Sequence, residues 1–139
     1  MQAVMMLGLE RVKALATTLA LRTFLTSGVP IDALHDCAQA CTADVDANLS
    51  EPNLTDMVRC IRLCLQCADL CTATAAVTSR LGEHEAEVTK PLLEACVASC
   101  RLCGDECERH ASMHEHCRIC AEACRRCELA CRQLLAALN

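Results

Sequence analysis

The stretch Cys117-Arg-Ile-Cys120-Ala-Glu-Ala-Cys124-Arg-Arg-Cys127-Glu-Leu-Ala-Cys131 decides the fold of this chain. Its cysteines are spaced 3, 4, 3 and 4 residues apart, which places all five side chains on one face of an α-helix. Most of the residues between them are charged or small and suit the solvent side of a helix. A helix normally carries leucine or isoleucine at the positions that face its partners, whereas this helix carries cysteine there.

The same stripe occurs in three segments upstream. Two of them have spacings of 4, 3 and 4, and the first has a single pair: Cys60, Cys64, Cys67 and Cys71; Cys96, Cys100, Cys103 and Cys107; and Cys37 with Cys41. We therefore predict helices over about 31–49 and 54–80, a third that begins between 85 and 91 and ends near 111, and a fourth that ends near 138. Short connections make successive helices antiparallel. The prediction is an all-α fold, an antiparallel up-down four-helix bundle over residues 31–138.

An additional amphipathic helix is predicted over residues 3–26, before Ser27-Gly28-Val29-Pro30. It contains no cysteine, so we expect it to pack outside the bundle or at a subunit contact. At 139 residues, the chain is expected to form a single domain, 1–139.

Composition narrows the function. Cysteine accounts for 15 of the 139 residues, aromatic residues are nearly absent, and the net charge of −5 argues against nucleic-acid binding. The N-terminus has no basic region before its apolar run, and we predict no membrane span. We therefore expect a cytoplasmic protein, in which thiols stay reduced and a dense cysteine pattern indicates metal binding.

The two ends of the predicted bundle differ. Alternating helix directions give four layers, namely Cys37/Cys71/Cys96/Cys131, Cys41/Cys67/Cys100/Cys127, Cys64/Cys103/Cys124 and Cys60/Cys107/Cys120, with Cys117 beyond. Asp44 and Asn48 occupy the places of cysteines in the last two layers. Beyond the first layer lie Leu34, Leu93 and Leu134, the "leucine end", which we expect to be sealed. Beyond the last lie Met57, His110, Met113 and His114, the "histidine end", which we expect to be open, with His116 at its rim.

The spacing and the charge favour Cu(I). Cysteines four residues apart on a helix have Cβ atoms about 5–6 Å apart, too far for an unstrained disulfide but suitable for a metal that bridges two thiolates. Soft thiolates in a dry core select Cu(I). Stacked tetrathiolate Zn²⁺ layers would accumulate negative charge, whereas one Cu(I) per thiolate is neutral. Zinc could fill one or two layers, so zinc or general soft-metal buffering or detoxification stays open as the alternative.

The sequence resembles the cytosolic copper storage proteins over about residues 35–135. The resemblance is carried by the runs Cys60–Cys71, Cys103–His110 and His114–Cys127. It implies a four-helix bundle that stores many Cu(I) ions, copper entering past histidines at the open end, and a homotetramer. The expected partners are copper ions and a copper chaperone or low-molecular-weight thiol donor. The expected ligands are all the cysteines above together with His110, His114 and Met113.

Two other classes of function are weighed against storage. A thioredoxin-type redox enzyme needs a strand–helix context that is absent from the sequence pattern, and a di-iron oxidase needs Glu-x-x-His, which does not occur. A secreted, disulfide-stapled module would show few free thiols before reduction. We expect no enzymatic activity.

Overall fold

A computed structural model describes Gly8, residues 29–80 and residues 85–139 of the chain. Residues 29–80 and 85–139 form four helices: α1 (Val29–Leu49), α2 (Leu54–Thr78), α3 (Ala86–His110) and α4 (Glu115–Leu138). The helix predicted over 3–26 lies outside the described residues, as does most of the connection between α2 and α3.

The four helices close into a ring. α1 packs against α2 and α4, and α3 packs against the same two helices, so that each helix has two neighbours. Four-residue connections at 50–53 and 111–114 join consecutive helices and make them antiparallel. The predicted all-α four-helix bundle is confirmed.

Proline and acidic residues mark the helix starts. Pro30 lies in the first turn of α1, where its missing N–H costs no intrahelical bond, and Asp32 follows where the helix dipole favours negative charge. The start of α3, which the sequence left between 85 and 91, is at Ala86. Pro91 therefore lies inside α3 and removes one backbone hydrogen bond near its beginning.

A glycine brings α3 and α4 close together. Gly104 is buried, and the guanidinium of Arg125 lies across it. A Cβ at position 104 would lie 3.0 Å from Nη1 of Arg125. The same guanidinium pairs with Asp105 and Glu108, at 2.6 and 2.9 Å.

The hydropathy of α2 bears on the prediction that the chain has no membrane span. By length and composition, α2 could cross a membrane, with a mean hydropathy of 1.4 over its most apolar window. The inward face of α2 carries cysteine, which behaves as a small hydrophobe and raises the mean. Core helices of bundles pass the same test, and the buried cysteines of α2 identify it as one.

Candidate metal centre

Every cysteine of the chain is a free thiol in the core of the bundle, at most 1% exposed. They are Cys37 and Cys41 on α1, Cys60, Cys64, Cys67 and Cys71 on α2, Cys96, Cys100, Cys103 and Cys107 on α3, and Cys117, Cys120, Cys124, Cys127 and Cys131 on α4. The stripes read from the sequence therefore all face inward, and together they line one continuous tube of sulfur.

Neighbouring thiols are in contact both along and across the helices. The Cys67 and Cys71 sulfurs, one turn apart on α2, lie 3.8 Å from each other. Across the tube, Cys64 lies 3.5 Å from Cys103, and Cys71 lies 3.7 Å from Cys127. Several groups of four sulfurs lie within 4.8 Å of one another, for example Cys64, Cys103, Cys107 and Cys120. Because these groups share members, a metal ion in one would have a neighbour in the next.

The predicted layers are wrong for α1, and α4 is also offset against α2, because Cys127 lies 3.7 Å from Cys71 and Cys120 lies 3.8 Å from Cys64, which were placed in other layers. We placed Cys41 with three cysteines: Cys67, Cys100 and Cys127. Its sulfur instead lies 3.6 Å from Cys120 and 4.0 Å from Cys103. The whole of α1 is therefore displaced by about one layer toward the histidine end. Helix α1 carries only two cysteines, and the spacing of residues along a single helix does not determine how far it slides along its neighbours.

The displacement puts a carboxylate inside the tube. Asp44 is 1% exposed, and its Oδ2 accepts hydrogen bonds from the thiols of Cys64 at 3.2 Å and Cys60 at 3.5 Å. Asn48, also buried, donates from Nδ2 to the same oxygen at 3.2 Å. The stripe of α1 is broken at the histidine end, as predicted, and these two polar side chains replace sulfur there. Burial raises the pKa of Asp44, although the hydrogen bond from His116 opposes this rise.

His116 was expected at the rim, but it reaches the interior. Its Nδ1 lies 2.5 Å from Asp44 Oδ1 and 3.5 Å from the sulfur of Cys117, while Nε2 lies 3.0 Å from Glu51 Oε1. Desolvation lowers the pKa of His116, but the hydrogen bonds to Asp44 and Glu51 outweigh it and the pKa is raised. The hydrogen bond from His116 lowers the pKa of Glu51. Two features of the sequence could have indicated this contact: a histidine directly before the first cysteine of α4, and the acidic residue that interrupts the cysteine stripe of α1.

His114 lies beside His116. The two rings are stacked, with centroids 5.2 Å apart. Nδ1 of His114 lies 3.3 Å from Glu51 Oε1, and its Nε2 is buried without a hydrogen-bond partner. The predicted copper ligand at position 114 is therefore at the histidine end with one ring nitrogen unpaired.

His110 and Met113 lie on the outer side of this end. Nε2 of His110 is 3.2 Å from Oε1 of the buried Glu106, whose other oxygen is paired with Arg59 and Arg109. Met113 is 67% exposed, and together with His110 it lines a surface pocket between α2 and α3. Their roles as ligands stay predictions. Met57, the other methionine of the histidine end, is fully buried.

The leucine end is closed as the stripe suggested. Leu34, Leu93 and Leu134 are all fully buried. Sequence reasoning missed the threonines that join them, Thr74 and Thr78, whose hydroxyls donate to backbone carbonyls of their own helix at 2.6 and 2.7 Å. Continuing the α2 stripe past Cys71 by three and seven residues would have found both.

The tube suits a soft cation that displaces protons. Hydrogen bonding to Cys127 and burial both raise the pKa of the Cys131 thiol, and hydrogen bonding to Cys60 and burial raise that of Cys117. A metal that binds a protonated thiol as thiolate must release its proton.

Comparison with known proteins identifies this arrangement. Two structures of copper storage protein from Streptomyces lividans are similar to this chain. The structure of Ccsp loaded with 10 copper equivalents is 59% identical, and the structure with five coppers is 54% identical. They cover 78% and 87% of this chain, with 82% and 96% of their own chains aligned, at TM-scores of 0.76 and 0.78. The Cu(I)-bound copper storage protein BsCsp3 is 32% identical over 78% of this chain and 97% of its own, with a TM-score of 0.69.

A curated relative is also similar to this chain in sequence. The uncharacterized cysteine-rich protein YhjQ of Bacillus subtilis is 34% identical over 106 residues, which are 76% of this chain and 93% of that protein. The family model described as "copper storage protein" matches residues 26–136. With its tube of free thiols and this match over most of its length, the chain belongs to the copper storage protein family.

Proposed function

We propose that this chain stores Cu(I) as thiolate-bridged ions along the sulfur tube, with all fifteen cysteines as ligands. The observation that carries the proposal is the continuous contact between buried thiols, at 3.5–4.0 Å. Two- or three-coordinate Cu(I) can bridge sulfurs at this spacing after small movements, and the dry surroundings favour a soft, monovalent ion that cancels the thiolate charge. Copper-loaded structures of Ccsp and BsCsp3 support the same cargo.

Capacity tests this proposal. With near one-to-one binding to sulfur, the chain takes up roughly a dozen to twenty Cu(I) ions. The measurement is a Cu(I) titration of reduced, metal-free protein against a competing chromogenic chelator. Saturation at four ions or fewer would contradict storage and would favour the alternative, a zinc or general soft-metal buffer.

Copper enters and leaves at the histidine end. Three features support this direction: the sealed leucine end, the unpaired Nε2 of His114, and the polar pair Asp44 and Asn48 beside the outermost thiols. His110 and Met113 lie in a surface pocket at the same end and would meet the ion first. Histidine and methionine bind Cu(I) more weakly than thiolate, so an ion can pass from them to Cys117.

The direction is tested by the rate of Cu(I) transfer. Replacing His110 and His114 with apolar residues slows loading and chelator-driven removal and changes the capacity by only a few ions. The matched variant at the other end, Leu34→Phe, leaves both rates nearly unchanged, provided that circular dichroism shows the native helix content. Stopped-flow transfer at the native rate in the histidine variant, with slow transfer in the leucine variant, would place the entrance at the wrong end.

The location of the protein and its copper donor follow from the chemistry of the thiols. We infer a cytosolic location, as in the Streptomyces relative, because the thiols must stay reduced. A copper chaperone or a small thiol donates the ions, and the protein has no enzymatic role.

The outer face of α2 supports self-association into a homotetramer. Leu54, Val58 and Leu65 are 40–50% exposed and continue one apolar stripe, a feature typical of interfaces. Light scattering of the native protein and of Leu65→Glu tests this surface, and a monomeric native protein would contradict it.

A further inference from the structure

Three side chains at the histidine end share a feature that copper storage in thiolates does not explain. Oε1 of Glu51 lies 3.0 Å from Nε2 of His116 and 3.3 Å from Nδ1 of His114. One carboxylate oxygen therefore faces two imidazole nitrogens. The three come from two separate places in the chain, the turn between α1 and α2 and the beginning of α4.

These two nitrogen–oxygen distances are close to those between neighbouring ligands of a bound cation. Around a tetrahedral zinc with bonds of about 2.0–2.1 Å, neighbouring donor atoms are about 3.3–3.4 Å apart. Two imidazoles on one such ion have ring centroids about 5 Å apart, by the same geometry. The rings of His114 and His116 are 5.2 Å apart, with 27° between their planes. A divalent ion could replace the bridging protons after the two stacked rings turn so that a nitrogen of each faces it.

The second shell of the cluster also resembles that of a zinc site. The other nitrogen of His116, Nδ1, is hydrogen-bonded to Asp44 Oδ1 at 2.5 Å. A carboxylate that accepts from the far nitrogen of a histidine fixes the ring and leaves the near nitrogen free to bind metal. Asp44 is 1% exposed, so its orientation is held by the core.

Charge and hardness select a divalent ion over Cu(I). Glu51 and Asp44 contribute two negative charges, which one divalent cation neutralises and one Cu(I) does not. Carboxylate oxygen and imidazole nitrogen suit zinc, whereas the thiolates of the tube suit Cu(I). Glu51 is about one quarter exposed and His116 likewise, so water can complete the coordination.

We propose that Glu51, His114 and His116 form a second metal site, separate from the sulfur tube, that binds one divalent cation of the zinc type with water as a further ligand. The site joins the turn before α2 to the start of α4 across the histidine end. It goes beyond copper storage, and it shares one residue, His114, with the proposed copper entrance.

The experiment uses protein whose thiols are already occupied by Cu(I), at one equivalent per cysteine, so that the tube does not compete. Titration with Co²⁺, a spectroscopic substitute for zinc, should show one bound ion per chain with weak visible d–d bands and without thiolate-to-cobalt charge transfer. Glu51→Gln should weaken binding at least tenfold. Glu115→Gln removes the same charge from a neighbouring exposed position that pairs with Arg118, and it should bind Co²⁺ as the native protein does.

A second measurement needs no variant. Crystals of the copper-loaded protein soaked in zinc chloride should show anomalous density at the zinc edge between the three side chains. The proposal is overturned if Co²⁺ does not bind, if it binds with thiolate charge transfer, if Glu51→Gln binds as tightly as Glu115→Gln, or if the zinc density lies only among the cysteines.

Discussion

Replacing Asp44 with alanine should destabilise the metal-free bundle far more than an ordinary change on α1. Asp44 is 99% buried, and its removal deprives Nδ1 of His116 and Nδ2 of Asn48 of their carboxylate acceptor and leaves them only the weaker sulfur contacts with Cys117 and Cys60. Breaking a buried pair by removing one partner costs about 3–5 kcal/mol. Because His116 is 24% exposed and water can reach it, we expect a smaller loss of unfolding free energy, about 2–3 kcal/mol.

The assay is urea unfolding followed by circular dichroism in the presence of a reductant and a copper chelator. Asp46→Ala is the matched control, because Asp46 is an exposed side chain two residues farther along α1, and it should change the unfolding free energy by less than about 0.5 kcal/mol. A double-mutant cycle with His116→Ala should give a coupling energy of about 1–2 kcal/mol. If Asp44→Ala and Asp46→Ala were equally stable, or if the coupling were zero, the interior ion pair would contribute nothing to stability and our account of the break in the stripe would fail.

Two further predictions concern packing. Leu93→Ala at the leucine end should cost about 2–5 kcal/mol in the same unfolding assay, since the side chain is fully buried, whereas Leu129→Ala on the outer face of α4, at a side chain that is 58% exposed, should cost less than about 1 kcal/mol. Equal losses would show that Leu93 does not close the tube. Gly104→Ala should stabilise the protein by up to about 1 kcal/mol more in an Arg125→Ala background than in the native one, because a Cβ would displace the guanidinium that lies across the glycine. Additive effects would show that the guanidinium adapts without cost.

The sequence predicted the inward face of each of the four helices in residues 29–80 and 85–139 but not how these helices are offset along the bundle. Cysteine spacing determines which residues share a face, because the helical period is fixed by backbone hydrogen bonds. It does not determine how far α1 slides along its neighbours, and for that reason Cys41 was assigned to the wrong layer. The register of α2 against α3 was predicted correctly, since Cys60 lies 3.7 Å from Cys107 and Cys67 lies 3.8 Å from Cys100. Helix α4, in spite of its five cysteines, is offset against α2.

The part played by His116 was missed for a related reason. It lies one residue before the cysteine stripe of α4, in the first turn, so the periodic pattern places it off the inner face. Its side chain reaches Asp44 because the displaced α1 brings that carboxylate level with the start of α4. The interaction thus depends on an axial offset, which no local spacing rule encodes. The closed leucine end, in contrast, was predictable because Leu34, Leu93 and Leu134 continue the stripes without a break.

The complete burial of the thiols makes each of them a reporter on the opening of the bundle. An alkylating reagent too large to enter the tube can reach a cysteine only while a helix is transiently displaced, so the rate of labelling measures that opening rather than the reactivity of sulfur. Cysteines occur on all four helices and at every level between the two ends. Mass spectrometry of partially labelled chains would therefore yield a map, residue by residue, of which parts of the molecule open first, without any label being introduced.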